Sequence, residues 1–160
     1  MHDWGTWDAS WLWSFALIAI TIAIHAGGVV LIANAIEQLR IQLLRRRLAY
    51  LDSTPATVVL FVAVALSLGI LHAIESIVWA IVYVKLGALP SPADAALYSV
   101  DSMTTRGASG LQPAPQWRMM GATEAGDGML LFGISTAFLF YVMQRVWMQR
   151  LWKVNSHDAS

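Results

Sequence analysis

The chain has no cysteine among its 160 residues. Disulfides, thiolate metal ligands and cysteine nucleophiles are therefore excluded, and nothing marks a redox compartment. Charge is scarce as well: Asp, Glu, Lys and Arg make up 12% of the chain, against about 25% in soluble domains. The 10 basic and 10 acidic residues cancel, so no nucleic-acid partner is suggested. No grouping of side chains suited to hydrolysis or group transfer is visible, and no enzyme is expected. What the chain holds in excess is apolar surface, 58% hydrophobic residues with a mean hydropathy of +0.59. That composition describes an integral membrane protein with no room for a soluble domain beside its spans.

Crossing a bilayer takes about 20 apolar residues, and three segments reach that length: Trp11 to Ile36, about Ala56 to Val84, and about Gly126 to Val146. A shorter helix is expected at Ala93 to Met103, too short to span and therefore re-entrant. Ser91 is its expected cap, Pro92 occupies the first turn and Asp94 suits the dipole. The expected fold is an all-α membrane protein of three transmembrane helices plus a re-entrant helix and loop. The first segment is not read as a signal peptide, because Asp3 and Asp8 stand where Lys or Arg should and the apolar run is too long.

Basic residues set the expected orientation. Arg40, Arg45, Arg46 and Arg47 lie in the first loop, and Arg145, Arg150 and Lys153 in the tail. This puts the N-terminus outside and the C-terminus in the cytoplasm of a bacterial inner membrane. Trp4, Trp7, Trp11, Trp13 and Trp117 would form the outer aromatic belt, Trp147 and Trp152 the inner one. The expected organisation is an N-terminal span with a basic cytoplasmic loop (1–55), a pore module (56–147) and a short cytoplasmic tail (148–160). The basic loop suffices as a topology signal; binding of anionic lipid heads is a second use.

The most informative stretch is Leu97 to Gly110, LYSVDSMTTRGASG. A short helix runs into Met103-Thr104-Thr105 and then a turn of Gly, Ala and Ser. Non-helical backbone at membrane depth must be buried in protein or line a water-filled cavity. One chain of three spans does not enclose a cavity, but a closed symmetric ring of chains does. The C-terminus of the short helix would turn its partial negative charge toward that cavity and favour a cation.

This layout resembles the pore loop of tetrameric cation channels, S-V-x-T-x-T-T-x-G-Y-G-D. The second span reads His72-x-x-Glu75-x-x-x-Trp79-Ala80, and the third reads Leu131-Phe132-Gly133-Ile134-Ser135-Thr136-Ala137. These are similar to H-x-x-E-x-x-x-W-A and L-F-G-W-S-T-A of a group of small bacterial potassium-channel-like proteins, related to two-pore-domain channels, with an extra N-terminal span. The likeness covers about Gly69 to Val146. It implies a homotetrameric pore with no cofactor, passing monovalent ions such as K+ or Na+, whose filter is Thr104, Thr105, Arg106, Gly107, Ala108, Ser109 and Gly110. The chain departs from the family inside that filter. Ala108 replaces an aromatic residue, Ser109 replaces the second glycine with Gly110 one place late, and Arg106 replaces a small apolar residue. Strict potassium selectivity is not expected.

Arg106 carries two readings. Either it pairs with Asp101 behind the filter and braces the loop, since buried charges are normally paired, or a ring of arginines faces the ions and favours anions. In the last span Gly133 is either a gating hinge or, with Ala137, a small-residue packing contact. Asp127 is taken as a solvated helix end.

His25, His72 and Glu75 are intramembrane ionisable residues, a functional hypothesis by default. His72 and Glu75 share a helix face. They would form a hydrogen-bond network joining the first two spans, a pH switch, or a metal or haem site through His25 and His72; no metal is assigned to them, since one His-x-x-Glu is a weak signal. The alternatives to a channel are thus a non-conducting relative with a decayed filter and a metal- or haem-binding bundle.

Overall fold

The computed structural model describes residues 4–45 and 54–157. Regular structure among them is helical: α1 (Trp4–Arg45), α2 (Thr54–Lys85), α3 (Pro92–Met103) and α4 (Arg118–His157), with a 3-10 turn at Pro115–Trp117 ahead of α4. Three stretches are long and apolar enough to cross a membrane, Ala9–Leu43, Thr54–Lys85 and Pro115–Met148. The α3 helix has 12 residues, roughly 18 Å at the standard rise per residue, too short to cross. Of the predicted basic loop, Arg46 and Arg47 lie outside the described residues, as do the side chains of Trp4, Trp7, Arg150, Trp152 and Lys153.

Two helices run further than apolar content predicts. The α1 helix continues past Ile36 through Glu37 and Arg40, whose side chains pair at 3.7 Å, to Arg45. The α4 helix starts ahead of Gly126, at Arg118. It thereby takes in Glu124, ahead of the expected span, as a fully buried residue.

The chain divides into two compact units: residues through Gly27 with Ile70–Gly133, and Gly28–Gly69 with the chain from Ile134. In the first, Trp79 and Tyr83 of α2 are wholly buried with Leu17 of α1 and Met120 and Leu131 of α4, and Ala95 and Met103 of α3 close the cluster. Lipid tails are as apolar as leucine, so close packing and interhelical hydrogen bonds must hold spans together. Both are present. Ser14 and Thr123 join α1 to α4 at 2.9 Å, and Ser102 of α3 donates to the Gly121 carbonyl of α4 at 2.7 Å. A Cβ on Gly128 would stand 2.2 Å from the Met103 carbonyl oxygen, so only glycine lets α4 run this close to the end of α3.

The second unit is packed differently. Val64 and Leu68 of α2 meet Phe138 and Val142 of α4, with Ile32 and Ile36 of α1 against them. Its ion pairs, Glu37 with Arg40 at 3.7 Å and with Arg145 at 3.6 Å, involve exposed side chains.

Candidate functional site

The loop after α3 is built from the helix outward. Ser91 caps the N-terminus, its hydroxyl accepting from the Asp94 amide at 3.1 Å, with Pro92 in the first turn. At the other end the Arg106 amide donates to the Asp101 carbonyl at 3.0 Å, and the Thr105 amide to the Ser102 carbonyl at 2.8 Å. This paired closure places the residue after the cap in the left-handed region. That residue is Thr105, at φ 56°, a β-branched side chain where glycine is usual. Gly107 and Gly110 follow at φ 62° and 70°. Residues 104–108 and Gly110 are exposed and Ser109 is partly so. The returning segment is tied down where the Ala114 amide donates to the Ala88 carbonyl at 2.9 Å.

Asp101 holds this loop from behind. Its side chain is buried, and Arg106 Nε donates to Oδ1 at 2.6 Å. The Ser109 amide donates to Oδ2 at 2.9 Å. The Arg106 guanidinium foremost, then the Ser109 amide, hold the Asp101 carboxyl well below the usual carboxylate range, because both stabilise its charged form. The bracing pair exists within one chain. It is buried on the Asp101 side only, for the Arg106 side chain is 61% exposed.

The second group lies in the interior of the same unit. His25 Nδ1 is 2.8 Å from Glu75 Oε1, and His72 Nδ1 is 3.2 Å from Glu75 Oε2. The first is a hydrogen bond that joins α1 to α2, and the second is a contact at ion-pair distance within α2. The imidazole centroids stand 5.1 Å apart, and His72 stacks on Phe132 of α4 at 4.2 Å. His25 and Glu75 are fully buried and the His72 side chain is 11% exposed.

Two further carboxylates, not among the expected site residues, are buried in the same unit. Asp127 is not a solvated helix end: it is buried, and its Oδ2 accepts from Thr21 Oγ1 at 2.7 Å and Trp79 Nε1 at 3.1 Å. Glu124 accepts from the Tyr83 hydroxyl at 2.8 Å and is bonded to the Ser99 hydroxyl. The available signal was spacing. His72, Glu75, Ser76, Trp79 and Tyr83 recur on one face of α2, and Glu124 and Asp127 are three apart on α4. Gly133 lies in uninterrupted helix, is exposed, and would bring an added Cβ near nothing within 4 Å. Close approaches fall instead at Gly121, against the Tyr98 side chain, and at Gly128, against the Met103 backbone.

No family model, curated protein or solved structure matches the chain. Fold and site together define an all-helical membrane protein with three candidate spans. One of its units holds both a loop of unusual backbone, between α3 and α4, and a buried histidine–carboxylate cluster on α1, α2 and α4.

Proposed function

We propose that this protein is the subunit of a homotetrameric ion channel, potassium-channel-like in plan, with Thr104–Gly110 as its filter. The observation that carries the proposal is the loop itself. It is non-helical, exposed and rich in left-handed backbone; it follows a helix too short to cross and stands between two candidate spans. Backbone of that kind at membrane depth calls for a water-filled cavity. Left-handed residues vary the direction of successive carbonyls, and carbonyl rings replace an ion's hydration shell. On α3, Leu97 and Val100 are each 49% exposed, an apolar face suited to a neighbouring subunit.

The Asp101–Arg106 pair favours cations over anions as the permeant species. Arg106 is neutralised by a carboxylate behind the loop, and the α3 C-terminus adds partial negative charge in front. Without the family's aromatic residue and second glycine, weak discrimination between K+ and Na+ follows. A bacterial inner-membrane location, with the N-terminus outside, is part of the proposal and rests on the distribution of Arg and Lys.

The test is flux through liposomes holding the purified protein, with K+, Na+ and Cl− compared and Arg106→Val measured alongside. Cation flux from a tetrameric preparation supports the channel. Chloride flux would put the arginines on the ion path. A tetramer silent in both forms would identify a non-conducting scaffold.

A further inference from the structure

We propose that His25, His72 and Glu75 bind one divalent transition-metal ion of the zinc type inside the first unit. One donor atom from each residue can be chosen so that all lie within 4.8 Å of one another. Donors about 2.1 Å from a tetrahedral zinc stand about 3.4 Å apart, so the trio needs only small rotations to close on an ion. Two imidazoles with one carboxylate form a donor set suited to zinc and its neighbours, not to calcium or magnesium. The supports are fixed: His72 and Glu75 are one turn apart on α2, His25 comes from α1, and Phe132 of α4 backs the His72 ring. With the rings 5.1 Å apart and turned to one carboxylate, the space between them suits a single ion, not a macrocycle.

Charge supplies an independent observation. Glu75 and Asp127 are both buried, and no Lys or Arg is buried among the described residues. Asp127 lies within electrostatic reach of both Glu75 and His25. Its Oδ1 is buried and makes no hydrogen bond among the described residues. These two buried acids have no buried Lys or Arg among the described residues to offset them in a low-dielectric interior, where unpaired charge is costly. A divalent cation held by the trio balances them, with Asp127 as an outer carboxylate oriented by Thr21 and Trp79.

The experiment uses purified full-length protein in detergent, stripped with a chelator, dialysed and titrated with Co2+ alone. The d–d absorption band and the bound metal are measured. One Co2+ per chain, displaced by Zn2+, is expected. His72→Ala should weaken binding by more than ten-fold while helical content is kept; Asp127→Asn, which alters only the outer carboxylate, should weaken it by about 10–100-fold. If His72→Ala does not fold, Glu75→Gln, close to the native shape, decides in the same way. Uptake well below one ion per chain, or unchanged binding in the folded ligand variant, overturns the proposal and leaves the trio as a hydrogen-bonded link between α1 and α2. The readout is independent of flux, so its failure leaves the channel proposal standing, and the reverse.

Discussion

The two units of the chain are made from the same three long helices and held by different means. In the first, buried side chains on different helices are hydrogen-bonded to each other: Thr21 and Trp79 to Asp127, Tyr83 and Ser99 to Glu124, His25 to Glu75. In the second, the core is Val64, Leu68, Phe138 and Val142, and the ion pairs are exposed. Apolar contact is nearly indifferent to rotation of a helix, whereas a hydrogen bond fixes both angle and register. The unit that carries the loop and the histidine cluster is the one whose geometry is specified by polar pairs. A buried half-satisfied network is costly, so small changes there should be felt more than larger ones in the second unit.

The largest test of that contrast is Trp79→Ala. It removes the largest fully buried side chain and strips a donor from Asp127, so a loss of about 3–5 kcal/mol is expected. Leu68→Ala in the second unit should cost about 2 kcal/mol, the low end for such a truncation, because lipid replaces part of the lost apolar contact. Thermal unfolding in one detergent compares them. Equal losses would break the contrast.

Next is Gly128→Ala. The added methyl meets backbone, which does not move aside, and overpacking of this kind costs about 1–3 kcal/mol. Gly69→Ala, where an added Cβ meets nothing within 4 Å, should instead gain up to about 1 kcal/mol from helix propensity. Opposite signs for two glycine-to-alanine changes sharpen the comparison, and the same sign would refute it.

Much of the frame is legible from the residues. Long apolar runs mark the three spans, and Ser91-Pro92 with Asp94 marks the start of α3. Asp101 with Arg106 is foreseeable as a pair because five residues separate them across a helix end. What hydropathy hides is the buried acid. Glu124 and Asp127 lower the apolar average just where α4 begins, so the span reads as starting at about Gly126, past Glu124 and with Asp127 as its solvated end. Their partners, Tyr83 and Trp79 on α2 and Ser99 on α3, are distant in sequence. An acid in an apolar helix is informative only once its donors are known, and those come from packing. Gly128 was hidden for the same reason: its neighbour is a carbonyl on another helix.

A smaller effect tests a single interhelical bond. Thr21→Val keeps the shape and removes the hydroxyl donated to Asp127. Such bonds in membranes average about 0.6 kcal/mol and reach about 1.7, and the upper part of that range is expected because Asp127 Oδ1 is already unsatisfied. A change indistinguishable from zero in thermal unfolding would mean that the polar pairs of the first unit set register without adding stability.

The smallest expected effect is on pH, and it separates the loop brace from an ordinary surface pair. Asp101 has a lowered pKa in the folded protein, owing first to Arg106 and then to the Ser109 amide. A group of this kind contributes stability that is complete above its unfolded value, about 3.9 for Asp, and is lost only as pH falls through the folded value, which is lower still. The protection factor of the Ser109 amide in hydrogen exchange should therefore stay constant from about pH 8 down to about pH 5, both well above 3.9. Asp101→Asn keeps the shape but not the charge, so protection should fall several-fold at every pH while α3 stays formed. A native protection factor that declines between neutral pH and pH 5 would mean that Asp101 is not held by Arg106. The loop would then be supported from somewhere other than the end of α3, and the paired reading of Arg106 on which cation preference rests would go with it.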